Sequence, residues 1–178
     1  DHSIYQRHCG KWRRKYERVS PKSTNDSPQN FPLLRFSDVL LMYAEAANES
    51  YGSPTPEAYE AINRVRRRAY GFDELQSNPG FDLSGMDYAM FQEQIRQERS
   101  RELCFEGLRK HDLIRWGIFG SMMKDVADDF ETGTDIFNST RYGGLAGKNV
   151  EEPKHLLYPI PASERGLKPY LVQNPRWE

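Results

Sequence analysis

The chain has 178 residues, enough for one domain with a hydrophobic core of its own. Its 25 lysines and arginines nearly balance its 26 aspartates and glutamates, and the net charge of −1 argues against a protein whose main partner is nucleic acid or an anionic membrane. No apolar run approaches the roughly 18 residues that a spanning helix needs. The two cysteines, Cys9 and Cys104, lie too far apart in sequence to form a metal-ligand cluster.

The N-terminal part of the chain changes from irregular to helical near residue 35. Residues 1–34 carry basic residues followed by Ser, Asn and Pro without a helical period, which predicts an irregular arm. A helix follows, with Ser37 as its predicted N-cap and Gly52 as its end. Its predicted apolar stripe consists of Leu40, Tyr43, Ala44 and Ala47.

A second helix begins almost at once. Thr55 is the predicted N-cap, Pro56 occupies the first helical position, and Gly71 is the predicted stop. The core stripe of this helix is predicted to be Ala58, Ile62, Val65 and Ala69. Helices over 37–50 and 56–70, joined by a short turn, have the size of one tetratricopeptide-type hairpin, and their alanine-rich faces would allow close packing.

The rest of the chain predicts further helices separated by long loops. Asp87 can cap a third helix over 88–106, and more helix is expected after Gly107. Residues 131–153 predict a loop, and residues 154–178 predict an extended tail with one short turn at "ASERG". The fold class is therefore mainly α, and the expected organisation is a single domain over 1–178, divided into an arm (1–34), a helical core (35–130) and a loop with an extended tail (131–178).

Glutamates stand where the apolar stripe of the third helix should continue. Phe91 and Ile95 begin that stripe, and Glu98 and Glu102 are its next members, with Glu106 at its edge. Paired carboxylates can catalyse glycoside hydrolysis or contact a ligand. Arginines surround these two, however, and a buried carboxylate needs such a partner, so we favour a structural ion-pair network. The neighbouring arginines are Arg96, Arg99, Arg101, Arg109 and Arg115.

The second helix supplies further arginines to this hypothesis. In "INRVRRRA", Arg66 and Arg68 are predicted beside the core stripe, whereas Arg64 and Arg67 are predicted on the solvent face. Glu45 of the first helix flanks Ala44, so an ionic lock between the first two helices is expected. The alternative is an ordinary solvated basic face. The predicted network consists of Glu45, Arg66, Arg68, Glu98, Glu102 and Arg109.

Other catalytic and cofactor signals are weak. The four histidines show no metal-ligand spacing, and nothing resembles a nucleophile elbow or a phosphate-binding loop. We therefore expect neither a metal nor a cofactor. The basic tracts "KWRRKYER" and "RVRRR" suggest nucleic-acid binding, but the net charge and the helical placement of the second tract oppose it. The glycines of "YGGLAG" are interpreted as loop flexibility.

Aromatic residues in the predicted arm and loops are the remaining functional signal. Sugar rings stack on exposed aromatic faces, although packing of loops onto helices is the more common role for any one of them. The segment 131–153 is long and shows no core periodicity, and binding residues concentrate on such loops. We therefore predict ligand contact from Phe137, Asn138 and Tyr142, with stacking on Tyr142 and hydrogen bonds from Asn138.

Four blocks of the sequence together resemble one family. They are "PLLRFSDVLLMYAEAANE", "AINRVRRRA", "ERSRELCFEGLRKHDLIRWG" and "LYPIPASERG" with "NPRW" after it. In this order and spacing they resemble the C-terminal half of the SusD/RagB outer-membrane lipoproteins of Gram-negative bacteria, over about residues 32–178. Members of that family are considerably longer, so an excised C-terminal part is expected, with the signal and the lipid-bearing cysteine outside this chain.

The resemblance implies a helical, tetratricopeptide-containing fold without catalysis. It implies binding of glycans or other nutrients at the outer-membrane surface, with a SusC-like TonB-dependent transporter as partner, over which the protein sits as a lid. It transfers no ligand-contact residue, because those vary between family members. Two alternatives remain open, which are a helical-repeat scaffold for protein partners and a glycosidase that uses Glu98 and Glu102.

Overall fold

The computed structural model describes residues 10–132, 142–168 and 170–177, without the side chains of residues 132, 142 and 143. Within these ranges the chain forms α-helices, short 3-10 helices and connecting turns, and no strand. The fold is therefore mainly α, as predicted. The chain divides into two compact units, with the boundary between Arg109 and Lys110. A single domain over 1–178 stays a prediction, and the two units are described separately below.

The first unit contains an arm and three helices. The arm carries one 3-10 turn, Arg14–Tyr16, and is followed by α1 (Phe36–Tyr51), α2 (Pro56–Ala69) and α3 (Tyr88–Glu102). All three helices pack against one another. Their shared core consists of Leu41, Ala44, Ala47, Ala58, Ala61, Ile62, Val65, Phe91 and Ile95.

Helix α1 begins earlier than its sequence predicted. Its N-cap is Arg35, in extended conformation, and not Ser37. The Ser37 hydroxyl is instead held at 2.5 Å by the Arg35 guanidinium, so it does not cap the first turn. Gly52 ends the helix in the left-handed conformation (φ 68°), as predicted. Glycine adopts this conformation without the steric cost that a side chain would add.

The buried face of α1 includes Ala44 and Ala47 as predicted, but Leu41 takes the place predicted for Leu40 and Tyr43. Leu41 is fully buried, whereas Tyr43 is 50% exposed. The apolar pattern missed this because the inward face also carries polar residues, which are Asp38, Glu45 and Asn48. Asn48 illustrates how they are accommodated, since its side-chain amide donates to the carbonyl of Tyr88 at 3.1 Å. The amide nitrogen of Asn48 is thereby satisfied inside the core, whereas its amide oxygen is buried without a hydrogen-bond partner among the described residues.

Helix α2 follows its predicted caps closely. The Thr55 hydroxyl accepts a hydrogen bond from the Ala58 amide at 3.2 Å, and Pro56 occupies the first turn. Gly71, with φ 81°, lies two residues beyond the last helical residue. Ala58, Ile62 and Val65 are buried as predicted, but Ala69 is exposed at the end of the helix.

Helix α3 is capped as predicted but ends four residues early. The Asp87 carboxylate accepts from the Met90 amide at 2.8 Å, and Phe91 and Ile95 are fully buried. The predicted helix over 88–106 was too long, because the segment after Glu102 turns away from the helical path. Both Phe105 (φ 64°) and Gly107 (φ 79°) have left-handed backbone, which no continuing α-helix contains.

The second unit contains the remaining four helices. They are α4 (Arg109–Arg115), whose first residue belongs to the first unit, and then α5 (Phe119–Thr132), α6 (Tyr142–Lys148) and α7 (Ala162–Leu167), and a 3-10 turn spans Lys154–Leu156. Helix α7 confirms the short turn predicted at "ASERG". The tail folds back on itself, since the Gln173 side chain makes two hydrogen bonds to the backbone of Ile160, at 2.7 and 3.0 Å.

Helix α6 lies inside the segment that was predicted to be a loop. It packs against α5, and its glycines are the reason that it can approach so closely. A Cβ placed on Gly147 would lie 2.1 Å from the carbonyl oxygen of Met123, and one on Gly144 would lie 2.7 Å from the Cβ of Phe130. These glycines therefore provide close helix packing, and the interpretation as loop flexibility was wrong for Gly144 and Gly147.

Candidate functional site

Three glutamates lie at or just after the C-terminal end of α3. Glu98 and Glu102 belong to its last turns, and Glu106 follows four residues after its end. Glu98 is 3% exposed and Glu106 is 5% exposed, although both are charged groups. Glu98 accepts hydrogen bonds from Arg101, at 2.9 Å, and from Arg66 of α2, at 3.4 Å. Its negative charge is thus compensated from its own helix and from the neighbouring one, as a buried carboxylate requires.

The Arg35 guanidinium donates hydrogen bonds to the carboxylates of both Glu102 and Glu106. Its Nη1 lies 2.7 Å from Oε1 of Glu102, and its Nε and Nη2 lie 2.7 and 2.8 Å from the two oxygens of Glu106. Arg68 adds a contact of 2.5 Å to Glu102, and Lys11 adds one of 2.5 Å to Glu106. We call these five residues, Lys11, Arg35, Arg68, Glu102 and Glu106, the Arg35 cluster. It ties the arm, α2 and the start of α1 to the end of α3.

The electrostatics of the Arg35 cluster are those of a closed ion-pair network. Burial alone would raise the pKa of Glu106, but hydrogen bonds from Arg35 and Lys11, with their charges, hold that pKa below its ordinary value of 4.5. Burial alone would lower the pKa of Arg35, but hydrogen bonds to Glu106 and Glu102 raise it. A general acid in glycoside hydrolysis needs a raised carboxyl pKa, and Glu106 has the opposite shift.

Four of the six predicted network residues form ion pairs between α2 and α3, whereas the expected lock between α1 and α2 stays a prediction. Arg66 and Arg68 of α2 reach Glu98 and Glu102 of α3. Glu45 is buried in α1, and Arg109 donates from Nη1 to the backbone carbonyl of Arg96 at 3.2 Å. The sequence analysis did not include Lys11 or Arg35 in the network, because both lie outside the helical stripes from which it was read.

Arg67 was predicted on the solvent face of α2, and this was wrong. Its side chain is only 1% exposed and makes paired contacts with two carboxylates, Asp82 at 2.6 and 2.8 Å and Glu60 at 2.9 and 3.1 Å. The hydrogen bond to Asp82 is the main reason that the pKa of Arg67 is raised and that of Asp82 is lowered. Arg67 thereby anchors the loop between α2 and α3, a long-range role that helical periodicity does not reveal.

The predicted ligand-contact residues are only partly covered by the described chain. Phe137 and Asn138 lie outside the described residues. Tyr142 is the first residue of α6, and its side chain also lies outside the description. Their role in ligand binding therefore stays a prediction.

A surface depression lies on the arm of the first unit. Its volume is about 270 Å³, and Trp12, Phe31, Gln29 and Asn30 line it. The indole ring of Trp12 and the ring of Phe31 meet edge to face, with centroids 6.5 Å apart, and remain 42% and 54% exposed. No sequence signal predicts this pairing, because the two aromatic residues are far apart in an arm without periodicity.

The described part of the chain offers neither a metal centre nor a spanning segment. No group of three or more histidine, cysteine, aspartate or glutamate side chains within residues 10–132, 142–168 and 170–177 is arranged to hold a metal ion. None of the helices in these ranges is long and apolar enough to cross a membrane.

Comparisons with known proteins agree on one family. The family model described as the SusD family matches residues 1–177. SusD-like protein P25 of Formosa agariphila is 34% identical over 143 residues, which are 80% of this chain and 23% of that protein. SusD-like protein P2 of the same organism is 33% identical over 180 residues, covering 98% of this chain and 31% of that protein.

A solved structure extends the likeness to three dimensions. The crystal structure of a SusD homologue from Bacteroides thetaiotaomicron is 42% identical in sequence and superimposes with a TM-score of 0.71, covering 86% of this chain and 30% of the other. The chain thus spans less than a third of the length of each of these three relatives.

Proposed function

Because the chain belongs to the SusD family, we propose that it binds glycans or other nutrients at the surface of the bacterial outer membrane and passes them to a SusC-like TonB-dependent transporter. The observation that carries this proposal is the family match over residues 1–177, together with 42% identity to a SusD homologue of known structure. Attachment to the outer membrane through a lipid anchor is part of the same proposal.

The proposed role is binding without catalysis. Each of the three carboxylates at the end of α3 contacts at least two basic side chains, so each serves as the acceptor of an ion pair. A carboxylate held by arginine is a poor proton donor and a hindered nucleophile. This supports a structural role for Glu98 and Glu102 over the glycosidase alternative.

We place the first candidate ligand contact at Phe137, Asn138 and Tyr142. The reasons are the chemistry of these side chains and their place in the sequence, in the segment that follows α5 and runs into the start of α6. Aromatic rings offer a stacking face to a sugar, and an asparagine amide can both donate to and accept from a sugar hydroxyl.

Calorimetry with a panel of oligosaccharides tests the general proposal. We expect saturable binding of at least one oligosaccharide and no release of the chromophore from activated aryl glycosides. Turnover of such a glycoside that is lost in a Glu102→Gln variant would overturn the non-catalytic assignment. Absence of binding across the whole panel, with co-purification of protein partners, would instead favour the alternative of a helical-repeat scaffold.

A double variant tests whether Asn138 and Tyr142 contact the ligand. Tyr142→Ala with Asn138→Ala should weaken binding of the oligosaccharide identified by calorimetry by about tenfold, the worth of roughly 1.4 kcal/mol. Tyr170→Ala is the matched control, because this tyrosine is 77% exposed in the same unit. Equal affinities for the double variant, the control and the unaltered chain would exclude Asn138 and Tyr142 from the ligand site.

A further inference from the structure

We propose that the arm of the first unit forms a second, separate binding site, for an oligosaccharide that carries carboxylate or sulfate groups. The inference rests on the proposed nutrient-binding function and adds to it a location and a class of ligand. Its centre is the aromatic pair Trp12 and Phe31, with the amides of Gln29 and Asn30 beside it. The charged residues that line the same depression are Lys11, Arg14 and Glu17.

The two rings form a corner that suits a sugar ring. Their planes are inclined by 80°, so one ring can offer its face to the apolar side of a pyranose while the other borders its edge. Both rings keep a large exposed fraction, 42% for Trp12 and 54% for Phe31. Two exposed aromatic rings next to polar groups offer a sugar both a stacking face and hydrogen bonds.

Hydrogen-bonding groups beside these rings are available for a ligand. The side-chain amides of Gln29 and Asn30 and the indole N–H of Trp12 have no hydrogen-bond partner among the residues that the structure describes. An amide both donates and accepts, which matches the two-way bonding of sugar hydroxyls. Ser27, by contrast, already donates to Glu17 at 3.0 Å, so that part of the wall is internally satisfied.

The charge of the arm favours an acidic ligand over a neutral one. Residues 10–31 contain six basic and two acidic side chains, although the whole chain has a net charge of −1. Arg13, Lys15 and Arg18 form no ion pair with any residue of the described ranges. Uncompensated positive charge concentrated on one surface segment raises the local concentration of anions.

The site is also held in place. Lys11, the residue before Trp12, contacts Glu106 at 2.5 Å and the backbone carbonyl of Glu102 at 2.5 Å, so the arm is fastened to the end of α3. The Arg35 cluster therefore fixes the backbone at the base of the aromatic pair. A preorganised stacking face binds more tightly than one that must be ordered by its ligand.

The test compares three hexasaccharides on the intact chain by calorimetry: a galacturonate hexamer, a sulfated carrageenan hexamer and neutral maltohexaose. We expect at least one acidic hexamer to bind more tightly than maltohexaose, and to weaken as NaCl rises from about 0.05 to 0.5 M. Trp12→Ala and Phe31→Ala should each weaken that binding by about tenfold, and Trp12→Phe should retain most of it. Tyr16→Ala is the matched control, since Tyr16 is a 67% exposed aromatic on the same arm.

The outcomes separate this site from the general proposal. Binding of an acidic hexamer that is unchanged in Trp12→Ala and Phe31→Ala, with their thermal unfolding also unchanged, overturns the arm site and leaves the proposed function standing. Binding of maltohexaose as tight as that of either acidic hexamer, or equally tight binding of a short DNA duplex, overturns the assignment to acidic glycans. Failure of all three hexasaccharides to bind, while another oligosaccharide of the wider panel binds, overturns the arm site alone. Absence of binding across the whole panel overturns both proposals.

Discussion

In the first unit α1 and α2 meet through methyl-bearing side chains, whereas in the second unit α5 and α6 meet through glycines. Ala44, Ala58 and Ile62 are fully buried between the first pair and its neighbour α3. At the second pair, Gly147 leaves no room for a methyl group against Met123. The first contact gains free energy from buried apolar surface, and the second gains it from the close approach of two backbones.

The ion pairs of the two units also differ, because the pair at Glu106 is buried in the first unit and the pair at Lys148 is exposed in the second. In the first unit the carboxylate of Glu106 is 2% exposed and contacts two cations, whereas in the second the pair between Lys148 of α6 and Glu131 of α5 is about half exposed on both sides. A buried pair is costly to break because its surviving partner stays buried and charged, while an exposed partner is simply hydrated. The units should therefore respond differently to the loss of one charge.

The largest effect is expected from Glu106→Gln, which removes a buried charge but keeps the shape of the side chain. It leaves Arg35 and Lys11 with one carboxylate fewer, and should lower the free energy of unfolding by about 3 kcal/mol at neutral pH. Urea-induced unfolding measures this. Glu74→Gln is the control, since Glu74 is 43% exposed and pairs only with Arg64 at 3.2 Å, so its loss should cost less than about 1 kcal/mol.

The difference in stability between the unaltered chain and Glu106→Gln should depend on pH. The pKa of Glu106 is lower in the folded chain than its ordinary value of 4.5, so ionisation favours the folded state. The stability advantage of the unaltered chain over Glu106→Gln should be complete above about pH 4.5 and should shrink as the pH falls through the lowered pKa. An advantage that grew towards low pH would contradict the ion-pair geometry described for this carboxylate.

An intermediate effect is expected from Gly147→Ala in the second unit. The added methyl group would meet the backbone of α5, which cannot move aside as a side chain can, and should cost about 1–3 kcal/mol. Gly166→Ala in α7 is the matched control, because no atom lies within 4 Å of its added Cβ, and alanine there should be neutral or slightly stabilising. Thermal unfolding of the two variants, compared directly, decides whether the α5–α6 contact depends on glycine.

The contrast between the two helix pairs also explains how far sequence reasoning reached. Helix α2 was predicted with its ends because Thr55, Pro56 and Gly71 act locally, each on the backbone within a few residues of itself. Helix α6 was missed because seven residues with three glycines carry no apolar period, and its stability comes from α5. Caps that act on nearby backbone can be recognised in the sequence, whereas packing against an element that is distant in the chain cannot.

The same distinction separates the polar residues. Glu98 and Glu102 stood out because they interrupt an apolar stripe, and that anomaly is visible without any structure. Arg67 was misplaced and Arg35 was overlooked, because their partners lie 15 and 67–71 positions away in the chain and no periodicity connects them. The Trp12 and Phe31 pair belongs to the same class, since an irregular arm has no repeat from which a contact could be read.

The smallest effect is expected from Lys148→Ala, which removes the exposed ion pair between α6 and α5. Its side chain is 46% exposed and that of Glu131 is 53% exposed, so both charges are already hydrated and the loss should not exceed about 1 kcal/mol. Any loss should disappear in high salt, which screens an exposed pair. The comparison with Gly147→Ala, one residue earlier on the same helix, is then direct: if Lys148→Ala proved the more damaging of the two, charge and not close backbone approach would hold α6 on α5.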